Sequence, residues 1–170
     1  LLADAYGLAL YKRTTRPVVI TKAEIEEVVS TGRISPYVRI KGTGEPEVGK
    51  VLGLAVRGFL GTLLEIEAVA FPARKPGGGT IRFNETAGSM AKDSVFNAAS
   101  LFRLLTGQEL EDFDIHINVI GGAHVDGPSA GGAILTAIIS ATQGVAIRQD
   151  MAVTGEVSIR GKLKAVGGIP

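Results

Sequence analysis

A chain of 170 residues, 45% of them apolar and 21% charged, is long enough for one sizeable core or for one domain with an appendage. It has no cysteine, which excludes disulfides, a thiol nucleophile and thiolate metal sites; with two histidines, His116 and His124, a zinc site would depend on carboxylates, so no metal is expected. The 18 basic residues balance 17 acidic ones without a long basic run, and tryptophan is absent, which argues against a nucleic-acid binder. No apolar stretch reaches the ~20 residues of a membrane span, and no secretory signal opens the chain, so the expected compartment is the cytoplasm.

In chain order, Leu1 to Tyr11 has helical composition, and Thr21 with Glu24 forms a capping box ahead of Ile25, Val28 and Val29 at helical spacing. Two short helices are predicted there. Gly32 to Gly49, rich in Gly and Pro, reads as a boundary. Val51 to Val56 and Leu63 to Phe71 read as strands joined across Gly58, Phe59, Leu60 and Gly61 as a hairpin. Met90, Val95, Ala98, Phe102 and Leu105 recur at helical spacing before the stop signal Gly107, which predicts a helix over much of Ser89 to Leu105. Ile115, Ile117 and Val119 alternate with His116 and Asn118, giving a strand with one polar face. Short closing strands are expected over Val153 to Ile159 and Leu163 to Val166. The fold class is therefore α/β, in the mixed α+β sense, without the regular βαβ repeat of a doubly wound sheet.

Between the polar-faced strand and the closing strands stands Asp126, Gly127, Pro128, Ser129, Ala130, Gly131, Gly132, running into the small apolar segment Ala133 to Ala141. Pro128 has the fixed φ suited to a first helical turn, and glycines permit close backbone approach. The unpaired N–H groups of a helix start favour negative charge. The stretch predicts a serine hydroxyl presented at a helix start; a simple cap is the competing reading.

The run D-G-P-S-A-G-G resembles the active-serine signature of the Lon family of ATP-dependent proteases. The stretch Val153, Thr154, Gly155, Glu156, Val157, Ser158, Ile159, Arg160, Gly161 follows at that family's separation, and Val166, Gly167, Gly168, Ile169 resemble its next segment. Leu64 to Ala68 and Gly88 to Ser94 are similar to the strand and helix start that precede the serine. The wording Met90, Ala91, Lys92, Asp93, Ser94 resembles the B type. The resemblance covers about Gly49 to Pro170. It implies a Lon-type proteolytic domain over residues 41–170, preceded over residues 1–40 by the end of an AAA+ helical subdomain and linker.

The resemblance further implies a serine endopeptidase working through a Ser-Lys dyad on unfolded or regulatory proteins, within a homohexamer whose AAA+ module holds ATP and magnesium. No cofactor is expected in this chain. Ser129 is the implied nucleophile, with oxyanion donors around Gly127, Pro128 and Ser129. Thr154 either orients the lysine or is a structural strand-end residue; Asp126 either fixes the loop or switches it between blocked and open. The family's lysine falls two residues past Pro170, and neither Lys162 nor Lys164 occupies its place, so this form is expected to be latent, by truncation or by mobility of the segment. A non-catalytic ring-forming module and a phosphate-binding domain of a small-molecule kinase are the alternatives.

Three motifs are set aside. Gly44 to Lys50 matches G-x-x-x-x-G-K, but Val51 stands where Ser or Thr should hold magnesium, and a strand rather than a helix follows. Asn84, Glu85, Thr86 satisfies the glycosylation pattern in a chain without a secretory signal. His124, Asp126 and Ser129 have the residue types of a hydrolase triad, yet a triad needs the histidine in line between serine and acid, a geometry usually assembled from distant segments.

Overall fold

The computed structural model describes residues 1–12, 17–30, 44–57, 60–84, 87–120 and 127–167. The chain divides into two compact units, Leu1–Arg39 and Ile40–Pro170.

The first unit contains helices α1 (Leu2–Lys12) and α2 (Lys22–Ser30). Ala5, Leu8 and Val28 form its buried centre, with Ile20 and Ile25 packed against them. The entry to α2 shows the reach-back bond of the predicted capping box: the Thr21 N–H donates to Glu24 Oε2 at 2.8 Å. The Thr21 hydroxyl donates to the same carboxylate oxygen. Lys12 and Glu27 form an ion pair between the two helices.

The second unit is built on a mixed five-stranded sheet. Its strands are β2 (Lys50–Arg57), β3 (Leu60–Pro72), β4 (Ile81–Phe83), β5 (Phe113–Ile120) and β7 (Ala152–Val153), in the order β4-β5-β3-β2-β7. The predicted hairpin is present as an antiparallel pair, and β3 starts three residues earlier than expected because Leu60 pairs with Arg57 and Gly61 with Val56. Strand β5 runs antiparallel to β3, with Ile117 opposite Ala68. Strands β4 and β7 add in parallel at the edges.

Period-two alternation decides which side of the sheet is covered. Leu64, Ile66 and Ala68 of β3 and Ile115, Ile117 and Val119 of β5 are buried on one face. Against that face lies α4 (Gly131–Gln143), which packs on β3 and β2, while α3 (Ser89–Thr106) packs on α4. Ala133, Ile134, Ala137 and Ile138 are fully buried, so α4 is apolar on nearly every side, as a central helix must be. Helix α3 ends as predicted: Gly107 takes the left-handed conformation at φ 72, where its N–H donates to the Arg103 carbonyl at 2.9 Å.

Two-residue strands complete the fold: β1 (Glu47–Val48) pairs with β6 (Ala146–Ile147), and β8 (Glu156–Val157) with β9 (Leu163–Lys164). The expected continuous strand from Val153 to Ile159 is interrupted at Thr154 and Gly155. There the backbone turns its hydrogen bonds sideways, toward the segment that carries Ser129.

Candidate active site

Ser129 sits in a single 3-10 turn, Pro128–Ala130, that leads directly into α4. Pro128 opens the turn, where its missing N–H costs nothing, and the Gly131 N–H closes it on the Pro128 carbonyl. The helix behind the serine is buried, so the turn is anchored in the core while Ser129 itself is only half-buried. Among the described residues no group hydrogen-bonds the Ser129 hydroxyl.

The segment after β7 clamps this turn. The Gly155 N–H donates to the Ser129 carbonyl at 2.9 Å, and the Gly155 carbonyl accepts the Gly132 N–H at 3.0 Å. The Thr154 hydroxyl points at the same Ser129 carbonyl, 3.4 Å away. Thr154 therefore reaches the backbone of the serine, not its hydroxyl. Gly155 has φ 150, and a Cβ there would come within 2.5 Å of Leu163 Cγ, so both conformation and space demand glycine. A Cβ on Gly131 would approach Ser94 Cβ and Oγ to 3.3 Å, which shows how closely α3 presses on the turn. A methyl on Gly127 would lie 3.8 Å from Ser129 Oγ; the hydroxyl thus looks back past a bare Cα.

Chemically, the turn offers a hydroxyl with no hydrogen-bond partner among the described residues, beside the first N–H groups of a helix, where partial positive charge collects. Pro128 has no N–H, so of the three residues expected around the oxyanion only Gly127 and Ser129 bring a donor. Asp126 and His124 lie outside the described residues. His116 lies on β5 between inward-pointing Ile115 and Ile117, so it projects from the sheet face opposite α4, where its ring meets Phe71 edge to face with centroids 6.4 Å apart. Lys162 and Lys164 are exposed, the latter opposite Glu156 in the β8–β9 pair.

The remaining motifs are committed elsewhere. Lys50 lies 3.0 Å from Glu47 Oε1 and 3.4 Å from Glu65 Oε2. Its hydrogen bond to Glu47, reinforced by the charge on Glu65, holds its pKa above the ordinary lysine value. With this lysine paired twice and β2 following it, the Gly44 to Lys50 stretch does not fit a nucleotide phosphate. The Asn84 carboxamide continues β4 in side-chain form: it donates to the Val119 carbonyl at 3.1 Å and accepts the Val119 N–H at 3.2 Å. Among the described residues no cluster of His, Asp or Glu has the makings of a metal site, and no helix is long and apolar enough to cross a membrane.

Gly155 and Gly132 are the site-building residues that composition did not single out. Their signal lay in the quoted stretches, but the need for glycine arises from Leu163, which reaches them only through the β8–β9 pair.

Residues 19–170 match the model of the Lon protease (S16) C-terminal proteolytic domain, a span that takes in α2 as well as the whole sheet. Lon protease 2 of Bacillus subtilis is 40% identical over 163 residues, covering 88% of this chain and 29% of that protein. The archaeal Lon protease of Thermoplasma volcanium is 34% identical over 169 residues, covering 95% and 24%. The Lon protease of Rickettsia felis is 35% identical over 167 residues, covering 94% and 21%. The chain thus spans less than a third of the length of these curated relatives. With the mixed sheet, the turn bearing Ser129 and a family match over both, the chain belongs to the Lon protease C-terminal proteolytic domain family.

Proposed function

We propose that this chain carries the nucleophile of a serine endopeptidase, with Ser129 attacking the scissile carbonyl and a lysine beyond Pro170 acting as its base. The observation that supports the reading is the clamped turn: a half-buried hydroxyl at the head of a core helix, its backbone held by Gly155. A serine at its free pKa is a weak nucleophile, and a lysine desolvated toward neutrality can take its proton without a histidine. The Ser129 Oγ–carbon bond then forms as the carbonyl becomes an oxyanion. The N–H groups of Gly127 and Ser129 are the candidate donors, each worth about 3–4 kcal/mol in the transition state. Collapse expels the amine, which receives the proton from the lysine, and water releases the acyl group by the reverse sequence.

Thr154 positions the serine through its carbonyl and extends toward the base; Asp126 fixes or switches the loop. In the whole protein, residues 1–40 end an AAA+ module that holds ATP and magnesium, and a cytoplasmic homohexamer delivers protein substrates to enclosed sites. The test is peptide hydrolysis by a chain extended through the lysine. Turnover abolished by Ser129→Ala with an unchanged melting temperature is expected, and full turnover by that variant would overturn the assignment.

A further inference from the structure

The sheet face opposite α4 is uncovered by any described element of its unit, and it is not an ordinary polar face. Val69 and Phe71 of β3 are 51% and 56% exposed on it, beside His116 of β5. Two depressions run along it. One, about 610 Å³, is lined by Phe71, Arg74, Lys75, Arg82, Asp114 and His116 among others; the second, about 400 Å³, shares Arg82 and His116 and continues toward Asn118 and Glu67. Together they make one trough across β3, β5 and β4.

Its charges are asymmetric. Arg74, Lys75 and Arg82 are exposed, and none has an ion-pair partner among the described residues. The acid between them, Asp114, has one carboxylate oxygen engaged by the Thr80 N–H at 3.1 Å and the Thr80 hydroxyl at 3.0 Å. The opposite end carries Glu67, which accepts from Asn118 Nδ2 at 3.1 Å. Arg82 alone would be explained as a charge guarding the edge strand β4, but that device accounts for neither Arg74 nor Lys75.

We propose that this trough docks an acidic, extended peptide segment of a partner protein. An apolar side chain of that segment rests on Val69 and Phe71, and its carboxylates lie toward Arg74, Lys75 and Arg82, away from Glu67. Charge complementarity selects the occupant: unpaired cations around an apolar floor suit acidic residues interleaved with an apolar anchor. A nucleic acid would need a longer basic track than three cations ending at a carboxylate.

Fluorescence anisotropy with the chain of residues 1–170 and three labelled probes tests this: a peptide alternating Glu with Leu or Phe, its Lys-substituted counterpart, and a single-stranded oligonucleotide. Saturable binding of the acidic peptide alone is expected. Combined Arg74→Glu and Arg82→Glu should weaken it by about tenfold or more, while Arg160→Glu, a single charge reversal on the β8–β9 connection, leaves it unchanged. Circular dichroism melts confirm that both variants fold. No saturable acidic-peptide binding, equal binding of the basic peptide, tighter binding of the oligonucleotide, or the same loss in Arg160→Glu would each overturn the proposal. A Phe71→Ser variant supplies a second reading, since binding that ignores it would remove the apolar anchor.

Discussion

The carbonyl of Ser129 accepts the Gly155 N–H at 2.9 Å, and through this bond a segment 26 residues downstream sets the pose of the turn that bears the hydroxyl. The same glycine accepts from Gly132, so the head of α4 is held on both sides of Ser129. Position of the Ser129 hydroxyl is therefore a property of two chain segments, not of the serine loop alone.

Gly155→Ala tests that coupling. The new methyl would collide with Leu163 at a φ of 150, and relief requires moving either the hairpin or the bond to Ser129. Destabilisation of about 1–3 kcal/mol is expected in urea unfolding, with lower peptide turnover in the lysine-bearing chain. Unchanged values of both would mean that the clamp is dispensable.

The two serines of α4 and its leading turn should behave oppositely. Ser140 is 1% exposed; its hydroxyl accepts the Gly49 N–H at 2.7 Å and donates to the Val145 carbonyl at 2.5 Å. Ser140→Ala strands the buried Gly49 N–H and frees the carbonyl of exposed Val145 to water, an expected loss of about 1–2 kcal/mol. Ser129→Ala removes a hydroxyl that no described residue hydrogen-bonds and should change stability by no more than about 0.5 kcal/mol. Thermal melts of the pair decide it, and equal losses would contradict this division of roles.

How far these features were legible in the sequence follows from how local their causes are. The α3 helix, its Gly107 stop and the β5 alternation depend on neighbours a few residues away, and all three stand where the pattern places them. The helix-start position of Ser129 was legible for the same reason, through Pro128 and the adjacent glycines. Strand β4 was not: Ile81–Phe83 is too short to show alternation and exists because β5 offers an edge. The β1–β6 bridge is likewise two residues long, and its partners, Glu47 with Ile147 and Val48 with Ala146, lie 100 and 98 residues apart. The break at Thr154 and Gly155 was hidden because a strand-like composition continues through it. Only the folded hairpin, with Leu163 against Gly155, shows why the ladder stops.

Thr154→Val separates a positioning role from a structural one. The bond from its hydroxyl to the Ser129 carbonyl is long, at 3.4 Å, so its loss should cost at most about 1 kcal/mol of stability. Misplacement of the serine should nevertheless lower kcat by roughly ten- to a hundredfold with little change in KM. A large drop in melting temperature with normal kcat would assign Thr154 to the fold alone.

Lys50 predicts an alkaline effect of definite sign. Its pKa is raised in the folded chain by Glu47 and Glu65, so the stabilisation is complete below the ordinary lysine pKa and is lost as pH climbs through the raised value. Between neutral and strongly alkaline pH, wild type should lose more stability than Lys50→Met. Parallel stability–pH curves for the two would refute the pairing.

Nucleotide should not bind this chain, because Lys50 is already paired and a strand follows it. Adding millimolar ATP and magnesium is expected to leave the melting temperature unmoved. A saturable rise would revive the kinase-like reading.

The most direct test of the central claim is site mapping with a fluorophosphonate probe on a chain extended through the lysine beyond Pro170. One adduct is expected, on the peptide containing Ser129, absent from the Ser129→Ala variant. An adduct on another serine, or a folded chain that cleaves peptides with Ser129 unlabelled, would contradict it.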